Sequence, residues 1–246
     1  MNFKLRVSRV LVTGGGSGIG FAIAKALINE GCRVCICGRN LEKLNKAKEE
    51  INNDNLSVMQ WDIRDVSIIR EKINEAASLC GGYLDGLVNN AGVFLSSQSW
   101  KAWFETEEEW DAVWDTNLKA QIFLLRKFSN YLHDQCHKKG NICCISSITS
   151  QNYEVKGSYA ASKYVYSRMI RSHAKQAITL GIVINGINPG VVHTPMSPNE
   201  SCNIQAIKRP IQPEEIANCV LFLMSEQGAI CCGEMMLADG GATFAI

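Results

Sequence analysis

The stretch Gly157-Ser158-Tyr159-Ala160-Ala161-Ser162-Lys163 puts a phenol and an ammonium four residues apart. On a helix, positions i and i+4 project from one face, so the two groups would be neighbours. A Tyr hydroxyl ordinarily loses its proton near pH ~10 and is a weak acid or base at neutrality. An ammonium a few ångströms away favours the phenolate and draws that pKa toward the working range. The spacing is common on helix surfaces and takes its meaning from what surrounds it. A second stretch, Thr13-Gly14-Gly15-Gly16-Ser17-Gly18-Ile19-Gly20, carries glycines at 14, 18 and 20. Such a turn lets backbone approach a pyrophosphate, and a helix starting there offers unpaired N–H groups and its positive dipole end. The pattern is G-x-x-x-G-x-G and not G-x-G-x-x-G. Its place between a strand and a helix makes dinucleotide binding the reading.

The elements that must position these groups follow from periodicity. Residues 7–12 form a short apolar run that reads as a buried strand, and the glycine turn follows it. A helix with Ile19, Ile23, Ala26 and Leu27 on one face stops at Gly31, and a strand over 33–37 completes a βαβ unit. The alternation continues. Helices are expected over 41–51, 67–79, 158–179 and 213–224, and strands over 56–61, 84–89, 141–146, 182–187 and 234–237. The region 107–128 reads as a long amphipathic segment, either one helix or two meeting near Asn117. Alternating strands and helices predict an α/β fold with a parallel sheet covered on both faces. No linker or repeat interrupts residues 1–246, which are expected to form one domain.

Composition narrows the function classes. The 246 residues are 46% hydrophobic and 20% charged, with a formal net charge of +1. Scattered Lys and Arg argue against a nucleic-acid surface. No apolar run is long enough for a membrane span or a signal peptide. The 11 cysteines lie mostly in apolar stretches such as Cys35, Cys37, Cys143 and Cys144, as small buried hydrophobes. Cys32-Arg33-Val34-Cys35 has no second pair at zinc spacing, so no metal site is expected. An odd count without a framework points to a reducing, cytoplasmic location.

Four motifs in order now carry a resemblance: Thr13-Gly14-x-x-x-Gly18-x-Gly20, Asn89-Asn90-Ala91-Gly92, Tyr159-x-x-x-Lys163 and Asn188-Pro189-Gly190. Together with Leu237-Ala238-Asp239-Gly240-Gly241 they resemble the short-chain dehydrogenases/reductases of the classical type over nearly the whole chain. The 3-oxoacyl-ACP reductases and bacterial hydroxysteroid dehydrogenases of that family are similar. The resemblance implies a single Rossmann domain with a seven-stranded parallel doubly wound sheet, a nicotinamide cofactor, and interconversion of an alcohol and a carbonyl. It implies that Tyr159 is the acid/base, that Lys163 lowers its pKa and binds the nicotinamide ribose, and that Asn117 keeps a water in the proton relay. Counting forward from Gly140 makes the catalytic serine Ser147, whereas counting back from Tyr159 makes it Ser146. Strand register favours Ser147, because a loop can lose a residue more easily than a strand can slip.

Cofactor residues carry over in the same way: Gly14, Ser17, Gly18, Ile19 and Gly20 at the pyrophosphate, and Asp62 with Ile63 beside adenine. Asn89, Ala91 and Gly92 support them, Thr194 holds the carboxamide, and Pro189, Gly190 and Val192 belong to the segment leading to it. At the end of the second strand, where NAD-specific relatives carry an acid, this chain has Gly38-Arg39-Asn40. A carboxylate would repel a 2′-phosphate and an Arg can pair with it, so NADP(H) is favoured and NAD(H) remains possible. Residues 93–104, 151–155 and 193–207 are expected to wall a substrate pocket for an apolar carbonyl or alcohol. The aromatics Trp100, Trp103, Phe104, Trp110 and Trp114 would serve packing or a subunit contact more than the pocket, and 196–202 would form a lid. By analogy with the family the chain would be a homodimer or homotetramer.

Overall fold

The computed structural model describes residues 3–95, 105–135, 139–151, 157–196 and 205–244. Its strands are β1 (Arg9–Thr13), β2 (Arg33–Gly38), β3 (Leu56–Gln60), β4 (Gly86–Asn89), β5 (Gly140–Ile145), β6 (Ile182–Pro189) and β7 (Met235–Ala238). They form one sheet in the order β3-β2-β1-β4-β5-β6-β7, and every pairing is parallel. The helices are α1 (Gly18–Asn29), α2 (Leu41–Ile51), α3 (Ile69–Leu79), α4 (Glu107–Trp114), α5 (Gln121–Asp134), α6 (Ser158–Ala177) and α7 (Pro213–Leu223).

Parallel strands buried on both faces need apolar side chains at every position, and β1 meets this need. Val10 and Val12 point into one helical layer with α1 and α7, while Leu11 points into the other with α3, α5 and α6. The chain direction across the sheet reverses between β1 and β4, where Val12 pairs with both Ile36 and Val88. In such sheets a crevice opens at the carboxyl ends of the strands flanking the reversal.

The sequence-derived elements are found with small shifts at their ends. Strand β1 starts at Arg9 and not at Val7, because the Ser8 and Arg9 amides donate to the Asp85 carboxylate at 2.9 and 2.8 Å instead of joining the ladder. The amphipathic region is interrupted as expected. A π-helical turn, Asp115–Ala120, joins α4 to α5 and contains Asn117. Extra residues in such turns often mark functional positions. Helix α7 begins with Pro213 in its first turn and a reciprocal bond between Gln212 and Glu215.

Candidate active site

The glycine turn leaves β1 through Gly14 at φ +68° and enters α1 through Gly18 at φ +54°, conformations that side chains rarely adopt. A Cβ on Gly20 would collide with the Gly14 carbonyl, so helix and turn touch backbone to backbone. The Gly14 amide donates to the Cys37 carbonyl at 2.8 Å, which folds the turn back over β2. Ser17 caps α1 without a side-chain bond, and no acidic residue lies in the first turn. The amides of that turn are thus available to an anion.

The end of β4 is bound to this turn. Thr13 Oγ1 accepts the amides of Asn90 and Ala91, both at 3.0 Å, and Asn90 Nδ2 donates to the Thr13 carbonyl at 2.8 Å. Behind it, the fully buried Asn89 donates to the Gln121 carbonyl at 2.9 Å, and the Gln121 amide donates to the Ala91 carbonyl. Asn89 is therefore a support beneath the cleft, and Asn90 is the residue that lines it.

Tyr159 and Lys163 occupy the first turns of α6, and the Lys163 ammonium lies 5.9 Å from the Tyr159 ring centre. Lys163 is buried and donates to the Ile145 carbonyl at 3.2 Å. Burial pulls its pKa down to about 8, opposed by the nearby Cys144 thiol. The Asn117 side chain is also fully buried. It accepts the Val93 amide and donates to the Val93 carbonyl, both at 2.8 Å. Its side chain is thus committed to the main chain of Val93. A Cβ on Gly92 would lie 3.2 Å from Asn117 Oδ1 and 3.6 Å from Lys163 Nζ, so these three residues meet at one point.

The two serines divide their bonds. Ser146 Oγ donates to the Lys163 carbonyl at 3.3 Å and shares a 2.9 Å hydrogen bond with Ser167, turning toward α6. Ser147 Oγ accepts the Thr149 amide at 3.2 Å. Ser146 lines the cleft and Ser147 does not.

A cleft of about 220 Å³ brings most of these groups together. Of the expected residues it is lined by Gly14, Ser17, Gly18, Ile19, Gly20, Ala91, Gly92, Tyr159, Lys163 and Thr194, and it adds Asn90, Ile145, Ser146, Pro195 and Met196. Thr194 reaches it because Gly18 lacks a side chain, and a Cβ there would stand 3.1 Å from the Thr194 methyl. Arg39 is exposed where β2 ends, and its carbonyl accepts from Gln60 at 2.9 Å. Asp62 lies outside the lining, and its carboxylate is gripped by Arg64 at 2.6 and 3.0 Å. That bond, before other causes, lowers the Asp62 pKa. Ile63 is buried in the core. Pro189 pairs with Ala238 in the sheet, Gly190 donates to the Ala238 carbonyl, and Val192 is buried against Ile211.

The sequence reading gave Thr13 and Gln121 no role at the site and took Phe94 only as part of the 93–104 wall. Phe94 stands edge-on to the Tyr159 ring, with centroids 5.0 Å apart. The Trp110 and Trp114 rings meet at a tilt with centroids 5.6 Å apart, and Trp110 is exposed. Trp100, Trp103, Phe104, the residues 152–155 and the lid residues 197–202 lie outside the described residues. Among the described residues no group of His, Cys, Asp or Glu could hold a metal ion, and no helix is long and apolar enough to cross a membrane.

A doubly wound parallel sheet with a glycine turn and a Tyr–Lys pair at its reversal point defines a Rossmann-fold oxidoreductase. The family model for short chain dehydrogenases matches residues 8–204, and the chain belongs to that family. It is 30% identical over 228 residues to an uncharacterized oxidoreductase of Staphylococcus aureus strain MW2, covering 92% of this chain and 94% of the relative. A Staphylococcus haemolyticus oxidoreductase, also uncharacterized, is 28% identical over 226 residues, covering 92% of this chain and 94% of the relative. Among solved structures, one from Sinorhizobium meliloti 1021, described as a candidate short-chain alcohol dehydrogenase, superimposes with a TM-score of 0.89 at 29% identity over 100% of both chains. The crystal structure of gox2181 gives a TM-score of 0.88 at 25% identity over 98% of both chains.

Proposed function

We propose that this oxidoreductase interconverts a ketone, or a 3-oxoacyl group, and the matching secondary alcohol, with NADP(H) as its preferred cofactor. The observation that carries the reading is the convergence of Tyr159, Lys163 and the uncapped first turn of α1 on one cleft. The site fits a dinucleotide. Gly14, Gly18 and Gly20 let the Asn90–Ala91 segment, Thr194 and the turn's own backbone close around the start of α1, and the amides there suit a pyrophosphate. When bound, the nicotinamide would supply or accept the hydride.

The chain's own residues handle the proton. Tyr159 gives its hydroxyl proton to the carbonyl oxygen in reduction and takes it back in oxidation. Lys163 in its charged form favours the phenolate, and with Thr194 it would hold the nicotinamide end in place. Asn117 would keep the relay water. Ser147 is the serine favoured to bind the substrate oxygen. Its hydroxyl accepts one bond and keeps its proton free to donate, whereas Ser146 spends its bonds on Lys163 and Ser167. Arg39, exposed at the end of β2, would pair with a 2′-phosphate.

The test is a panel of ketones, 3-oxoacyl thioesters and secondary alcohols with NADPH and NADH, comparing the wild type with Tyr159→Phe. Turnover that is lost in the variant while cofactor binding persists is the expected result. Undiminished turnover in the variant would refute the proton-transfer role.

A further inference from the structure

Helix α6 presents Tyr159 from a first turn that has no cap of its own. Gly157 precedes it at φ +100°, has no side chain to accept an amide, and no acidic residue lies in the turn. The amides of a helix start must find acceptors, and here Ser158 is fully buried, so water does not serve. The acceptor comes from 53 positions earlier in the chain. Glu105, just before α4, accepts the Ser158 amide at 3.1 Å and also the Ser158 hydroxyl. Eleven residues before Glu105 the same connection from β4 holds Phe94 close to the Tyr159 ring, at an interplanar angle of 68°.

We infer that Glu105 is a positioning residue for Tyr159: a carboxylate cap supplied from outside the helix that fixes the first turn of α6. A negative group at a helix start binds the free amides and complements the dipole. The phenol two positions into the helix keeps its place relative to Lys163 only while that turn is formed. Phe94 against the Tyr159 ring and Glu105 at the start of its helix belong to one connection, through which a change between β4 and α4 reaches the proton-transfer step. The inference rests on the role proposed for Tyr159.

The experiment compares wild type, Glu105→Ala, Glu105→Gln and Ser158→Ala by amide hydrogen exchange over 157–163, by turnover on the best substrate of the panel, and by NADPH affinity from its fluorescence. Glu105→Ala should exchange the first turn faster and lose about tenfold in kcat, the scale of a lost cap, with NADPH affinity within about twofold of wild type. Glu105→Gln, which keeps one acceptor oxygen, should recover part of both. Unchanged exchange would overturn the cap, and faster exchange with unchanged kcat would overturn the positioning role. If Glu105→Ala does not fold, Glu105→Gln and Ser158→Ala carry the same two readouts. A wild type without turnover on the panel would refute the proposed reaction and the positioning role with it, leaving the exchange comparison to decide the cap alone.

Discussion

Lys163 is a cation held where water does not reach it, and its surroundings make that costly. Its pKa falls from 10.5 to about 8, so the folded state binds the proton less well than the unfolded chain does. Below about pH 8 the buried charge therefore destabilises the fold, by on the order of 3 kcal/mol if the whole shift is expressed. The penalty fades as pH rises from about 8 toward the unfolded value of 10.5. Lys163→Met should accordingly be inactive yet more stable than wild type at pH 7, by about 2 kcal/mol once the lost bond to Ile145 is counted. Denaturant titrations at pH 7 and pH 9.5 check this, since the wild type should gain on the variant at the higher pH. Arg39 is tested separately. Arg39→Ala should weaken NADPH about tenfold or more and leave NADH within about twofold, because the guanidinium is exposed and free to meet the phosphate. Equal losses on both cofactors would refute the assignment. At the serines, Ser147→Ala should cost more turnover than Ser146→Ala, and the reverse order would reassign the role.

Among the elements, the glycine turn and α1 act as one unit through backbone contact. Gly20→Ala pushes a methyl into the Gly14 carbonyl, which cannot move without displacing the strand end. The expected cost is about 2 kcal/mol of stability, with NADPH and NADH weakened alike because both share the pyrophosphate. This distinguishes the turn from Arg39, where the two cofactors should separate. The elements were legible in the sequence because their signals are local. Apolar runs marked the buried strands, the 3.6-residue period marked the helices, and helix α2 came out at 41–51 as read. The ends were less legible where a distant group intervened, as Asp85 does at the start of β1. At the site, Tyr159, Lys163 and the glycines stood out because their chemistry or φ restricts residue choice. Thr13, Asn90, Gln121 and Glu105 matter through bonds to residues 30 to 77 positions away, and no local pattern records such a partner. The Asn117 reading did not include the commitment of its side chain to Val93, 24 positions earlier.

At the scale of the whole molecule, the sheet divides the core into two apolar layers, and neighbouring cysteines on β5 sample one each. Cys143 packs in the layer with α1 and α7, and Cys144 in the layer with α3, α5 and α6. Both are fully buried, and burial raises both thiols, Cys144 to about 12, so neither presents a reactive thiolate in the folded state. Each can be alkylated only when its layer opens. If the shared strands make the two layers one cooperative unit, Cys143 and Cys144 should label at the same rate, with the same dependence on urea as global unfolding. If the layers open separately, adjacent residues should label at different rates with different urea slopes. Peptide-resolved alkylation in sub-denaturing urea distinguishes these outcomes, and we expect the first. Each β5 residue pairs directly with β4 or β6 partners buried in the same two layers, such as Val88 with Cys143 and Ile145 with Ile187. Losing one layer would leave these strands with an apolar face in water, which the remaining layer cannot offset. NADPH, binding only the folded cleft, should then slow both thiols by one common factor that grows with its concentration.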